Sequence, residues 1–193
     1  MVQTPASLLE RMRTRGDDES WSRFVELYGP LVYRWLREFQ LQHADACDLG
    51  QEVLLTVSRE MPNFQYDPSR GSFRGWLRTV LTNQLRGFWR KRRRLPATAD
   101  SEWQSRLSEL EDPASESARR WDNEHDSHVI NRVLAILKSD FEPTTWQAFW
   151  HVVVDGEKPA AVAQRLGVSV NAVRLAKVRV LRRLRQESDG LVD

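Results

Sequence analysis

A chain of 193 residues accommodates one ordinary domain or two small ones, and a hydrophobic share of 40% supplies enough buried surface to exclude global disorder. Net charge is only +2, but the basic residues bunch at Arg90-Lys91-Arg92-Arg93-Arg94 and along Arg174 to Arg185, while acidic residues gather between Asp100 and Asp126. Two cationic surfaces flanking an anionic connector suit contact with a polyanion at two places.

Met1 to Glu10 lacks the basic start and apolar core of a signal peptide. Thr4-Pro5 reads as a helix start and Gly16 as its stop. Asp17 or Asp18 then caps a segment in which Trp21, Phe24, Val25, Tyr28, Leu31, Val32, Trp35, Leu36 and Phe39 recur at helical steps. Gly29-Pro30 interrupts that pattern and predicts a kink or brief break, because proline removes a backbone donor. A third helix starts near Ala44-Asp45, carries Leu49, Val53, Leu54 and Val57 on one face, and ends at Met61-Pro62. Asn63 to Ser72 is a polar loop with strong turn chemistry in Asp67-Pro68-Ser69-Arg70-Gly71. A fourth helix is predicted from about Phe73 to Arg94, with Trp76, Leu77, Val80, Leu81, Leu85 and Phe88 as its stripe and Leu95-Pro96 as its stop.

From Pro96 to about residue 125 the chain is rich in Ser, Glu and Asp and weakly periodic, which reads as an acidic linker with local helix around Glu102 to Leu110. Val129, Ile130, Val133, Leu134 and Leu137 mark the next helix. Pro143 opens another, with Trp146, Phe149, Trp150 and Val153 inward and Gly156 closing it. Two helices follow, Pro159 to Leu166 and Val170 onward, joined through Gly167-Val168-Ser169. Here Gly167 supplies the sharp turn, Ser169 the cap, and Val162, Leu166, Val168, Val173 and Leu181 the shared core. Turn, cap and core agree on a helix-turn-helix, whose second helix enters a DNA major groove. The fold class is therefore all-α, with two small helical domains at 1–95 and 126–193 joined by the acidic linker 96–125.

Cys47 stands alone, so no intrachain disulfide or Cys-rich zinc site is expected. His125 and His128 lack further ligands nearby, and no phosphate loop, nucleophile elbow or zincin motif is present. No apolar run approaches the roughly 20 residues of a bilayer span. A cytoplasmic protein without cofactor, metal, catalytic residues or membrane insertion is the expectation.

Three ordered blocks resemble the extracytoplasmic-function group of bacterial sigma factors. Asp45-Ala46-Cys47-Asp48-Leu49-Gly50-Gln51-Glu52-Val53 is similar to the segment with which these factors grip core RNA polymerase. Phe73-Arg74-Gly75-Trp76-Leu77 through Asn83 to the Arg90–Arg94 run is similar to the helix that melts and reads the minus-ten element. Lys158 to Arg185 is similar to the helix-turn-helix that reads the minus-thirty-five element. Two departures stand out. Gly87 occupies a place where many relatives carry aspartate, and Leu175-Ala176-Lys177 replaces more polar residues in the recognition helix.

The resemblance implies a polymerase-binding set of Asp45, Asp48, Leu49, Gln51 and Glu52, its carboxylates acting as a charged rim around an apolar contact. For minus-ten DNA it implies Gln65, Tyr66, Arg70, Ser72, Arg74, Arg78, Asn83, Arg86, Trp89, Arg90, Lys91, Arg92 and Arg93. Cations there meet phosphates, Trp89 can stack on an unpaired base, and the loop can hold a flipped one. For minus-thirty-five DNA it implies Ser169, Asn171, Ala172, Arg174, Leu175, Lys177 and Arg179, in which Asn suits adenine, Arg suits guanine, and Ala and Leu suit thymine methyls. It further implies core RNA polymerase, promoter DNA and an anti-sigma factor or other inhibitor as partners, and a linker that threads toward the polymerase active centre. The rival readings are an operator-binding helix-turn-helix regulator, a Mg²⁺-dependent nucleic-acid-processing enzyme using the carboxylates, and a helical protein-interaction module.

Overall fold

The computed structural model describes residues 8–13, 17–64, 72–91 and 97–192, with the side chains of 97–101 left undescribed. The elements are helical: α1 (Leu8–Met12), α2 (Asp18–Glu38), α3 (His43–Glu60), α4 (Phe73–Lys91), α5 (Ala97–Glu111), α6 (Glu116–Leu137), α7 (Pro143–Val153), α8 (Pro159–Leu166) and α9 (Val170–Ser188). Two compact units form, and the division between them falls within α6, at residues 129 and 130.

The first unit is built on α2, α3 and α4. Asp17 starts α2 as a cap: the Ser20 N–H donates to its carboxylate at 3.0 Å and the Ser20 hydroxyl at 2.7 Å, satisfying an otherwise orphaned helical donor. The backbone hydrogen bond from Ser20, then its hydroxyl, hold the Asp17 carboxyl below the usual range. Pro30 lies inside α2, which continues through it without the expected break. Pro30 is exposed, so the carbonyl of the preceding turn that loses its donor faces the solvent side of the helix.

Every third or fourth residue of α2 is buried: Phe24, Leu27, Tyr28, Leu31, Val32, Trp35 and Leu36. Against these pack Ala46, Leu49, Val53 and Val57 of α3 and Phe73, Leu77, Val80, Leu81 and Leu85 of α4. Burying each large side chain here contributes about 1.5–3 kcal/mol. Phe24, Tyr28, Phe64 and Phe73 meet mainly edge to face, with centroids 5.5–6.0 Å apart for the Phe73 contacts.

The stretch read as a linker is structured. α5 covers more than the local helix expected from Glu102 to Leu110, and the first half of α6 belongs to the same compact unit. Leu107, Leu110, Ala118 and Trp121 are buried, and Trp121 stacks on Trp35 with ring centroids 3.2 Å apart. Weak local periodicity is here outweighed by tertiary burial of a few large residues, which is where most helix stability in proteins originates.

In the second unit α7, α8 and α9 pack around Ala148, Val162, Ala163, Val173 and Ala176, with Leu166 and Val168 partly buried against them. Gly167 ends α8 in the left-handed region at φ 65° and ψ 32°, a conformation that glycine adopts without a Cβ penalty. Ser169 then caps α9, its hydroxyl accepting from the Ala172 N–H at 3.1 Å. Of the expected core positions, Leu181 is only half-buried, and Val180 is the residue fully turned inward. No helix among the described residues is long and apolar enough to cross a membrane.

Candidate nucleic-acid interface

Three surfaces carry the residues singled out above. On α3, Asp48, Gln51 and Glu52 are exposed and Asp45 is half-buried. Leu49 is 4% exposed and belongs to the helical core. An apolar residue that the block reading missed, Leu55, is 52% exposed. It stands three to four positions beyond Gln51 and Glu52, hence on the same face. The only signal for it in the sequence is this spacing.

α4 divides into two parts. Asn83, Arg90 and Lys91 are exposed. Ser72 caps the first turn, accepting from the Gly75 N–H at 3.3 Å. Arg74, Arg78 and Arg86, expected to meet phosphates, pair with carboxylates of this same chain. Arg74 pairs with Asp122 at 3.4 Å and Asp126 at 2.6 Å, and Arg78 pairs with Asp122 at 3.1 Å. Arg86 forms a two-pronged pair with Glu111. Trp89 is half-buried and stacks on Trp103, with centroids 5.2 Å apart and planes 15° from parallel. Gly87 has open space around the position of a Cβ, so no carboxylate neighbours Asn83 from there. Gln65, Tyr66, Arg70, Arg92 and Arg93 lie outside the described residues.

Asp126 is also tied to the buried interior. His125, fully buried, meets Asp126 at 2.9 Å through Nδ1 and the Tyr28 hydroxyl at 3.1 Å through Nε2. Because a carboxylate only accepts, Nδ1–H donates to Asp126, and Nε2 shares the second hydrogen bond with the Tyr28 hydroxyl. Burial raises the Asp126 carboxyl, but hydrogen bonds from His125 and Arg74 outweigh that and hold it below the ordinary value. Burial, followed by the nearby Asp126 charge, pushes the Tyr28 hydroxyl well above its usual value.

On α9 all seven expected reading residues, Ser169, Asn171, Ala172, Arg174, Leu175, Lys177 and Arg179, are exposed. Buried Val173, Ala176 and Val180 alternate with them and anchor the helix. Val178, 52% exposed, shares that outer face and was not singled out from the sequence. Arg174 and Leu175, four and three positions earlier, mark it by helical spacing. A groove of about 580 Å³ lies elsewhere in this unit, lined by Leu134, Phe141, Trp146 and Trp150 among others. His151 near the end of α7 clusters with Asp155 and Glu157 beyond it, but contacts among themselves and to Arg165 already engage them.

Residues 24–95, which span α2, α3 and α4, match the family model described as Sigma-70 region 2. The likeness to the sigma-70 family rests on this stretch. It is 30% identical over 155 residues to the ECF RNA polymerase sigma factor SigE of Mycolicibacterium smegmatis, an alignment covering 80% of this chain and 56% of that relative. The chain thus spans a little over half the length of the curated relative it matches. The sigma-70 match falls on the unit that carries both the acidic face of α3 and the cationic face of α4.

Proposed function

We propose that this chain acts as a sigma factor: it binds core RNA polymerase, directs it to promoters and takes part in opening the DNA, without catalysing a reaction itself. The observation that carries this reading is the region 2 match across α2 to α4. A second unit supports it, presenting α9 with Asn171, Arg174, Leu175 and Lys177 outward after a glycine turn. In this reading the Asp48–Glu52 face, joined by exposed Leu55 rather than by Leu49, docks on polymerase. Asn83, Arg90 and Lys91 engage minus-ten DNA, and α9 enters the major groove of the minus-thirty-five element. The site of action is the cytoplasm, and an anti-sigma protein or similar inhibitor is the expected regulator.

The test is co-purification of the full chain with bacterial core RNA polymerase, beside a variant carrying Asp48→Ala and Glu52→Ala. Stoichiometric capture of the first and loss of the second is the expected result. Binding of duplex DNA with no capture by polymerase in either case would instead support an operator-binding regulator.

A further inference from the structure

The acidic segment that reads as a connector is folded onto the helix expected to bind DNA, and its contacts have a recognisable chemistry. Three cations of α4 find anionic oxygens: Arg74 on Asp122 and Asp126, Arg78 on Asp122, and Arg86 on Glu111. A carboxylate offers a guanidinium the same planar pair of acceptors that a phosphate does. Next along α4, Trp89 carries the ring of Trp103 in a stacked arrangement, the place an unpaired base takes on an aromatic platform. Phosphate-like and base-like partners therefore come from one segment and fall on one helix.

We propose that α5 and the first half of α6 act as an intrachain mimic of single-stranded nucleic acid, occupying the cationic and aromatic face of α4 until DNA displaces them. The idea rests on the reading of α4 as a DNA-binding helix.

Two features distinguish a displaceable cover from a permanent layer of core. The ion pairs are only partly withdrawn from water: the Arg86 and Glu111 side chains are 41% and 32% exposed, and Asp122 and Asp126 are 26% and 30% exposed. Exchanging such a carboxylate for a phosphate replaces like with like and leaves no cation stranded. The packing also leaves donors unused. Among the described residues the indole N–H groups of Trp35, Trp89 and Trp121 find no hydrogen-bond partner, which is unfavourable for a buried donor. Burial of Leu107, Leu110 and Trp121 makes the covered form the resting one.

The experiment uses the full chain and a short mixed-sequence single-stranded oligonucleotide. A variant carrying Glu111→Gln, Asp122→Asn and Asp126→Asn is compared with a charge-matched control in which exposed Glu19, Glu60 and Glu142 become Gln. Trp103→Ala provides a second, uncharged route to the same opening. Hydrogen exchange across α2 and α3 verifies that each variant is folded. The expected result is binding about tenfold tighter than the control, the gain when a face open about a tenth of the time becomes fully open. In the wild-type chain, oligonucleotide binding should speed hydrogen exchange across 102–126. Equal affinity of variants and control, with that segment equally or better protected when DNA is bound, would overturn the mimic while leaving DNA binding intact. Failure of every form to bind the oligonucleotide would overturn the DNA-binding reading of α4 and the mimic with it.

Discussion

Gly167 offers a sharp test of how the α8–α9 turn is built. Its φ of 65° lies in the left-handed region, and nothing stands within 4 Å of the Cβ that an L-residue would add. Any cost of Gly167→Ala is therefore conformational rather than steric. Placing a Cβ-bearing residue in that region costs about 1–2 kcal/mol. Alanine also stiffens the unfolded chain, which returns about 0.4–1 kcal/mol. The net expectation is a loss of roughly 1 kcal/mol, or about 4–8 °C in the melting of a unit of this size. Asparagine, which tolerates this conformation, should lie between glycine and alanine, and valine should be worst. Urea unfolding and hydrogen exchange across α8 and α9, read on the full chain, supply the ranking. If alanine proves neutral, or asparagine no better than valine, the backbone argument fails and the turn is held by its packing instead.

Other expectations follow from the first unit and from α9. Tyr28→Phe removes the hydrogen-bond partner of buried His125 Nε2 at 3.1 Å and should cost about 1–3 kcal/mol in urea unfolding, the penalty for a buried group left unsatisfied. Trp121→Ala deletes the ring stacked on Trp35 and should cost no more than about 1.4 kcal/mol in global unfolding, the limit set by a cover already open about a tenth of the time; a loss of about 3–5 kcal/mol, as for a ring deleted from permanent core, would show that α6 is an integral layer of this unit and not a displaceable one. Asp126 has a depressed folded value, so its stabilising contribution should be complete above about pH 4 and disappear as pH falls through the folded value. Acid titration of stability should accordingly be flatter in this range for Asp126→Asn. Ser169→Ala should cost about 1 kcal/mol by removing the α9 cap, measured as faster exchange of the Ala172 amide and its neighbours.

Much of the architecture was legible from local chemistry. The 3.6-residue recurrence from Phe24 to Leu36 and from Leu77 to Leu85 defines which faces are buried. Asp17, Ser169 and Gly167 mark helix ends because capping and left-handed turns depend on the residue itself and its nearest neighbours. The outward set on α9 follows from the same logic, since alternation with buried Val173, Ala176 and Val180 leaves little choice of face.

Local pattern was insufficient where long-range partners decide. Leu49 stands inside a polar block, yet it is buried in the core, while Leu55 is left outside. The acidic stretch after Pro96 has the composition of a linker, and it becomes α5 and α6 by burying Trp121 against Trp35, 86 positions earlier in the chain. The arginines of α4 read as free cations until Glu111, Asp122 and Asp126 are brought beside them. The sequence by itself determined the helices, their caps and their apolar stripes, because those depend on neighbours within a few residues. Only the tertiary structure decided which charges are spent inside the chain, because an ion pair depends on distance in space and not on separation along the backbone.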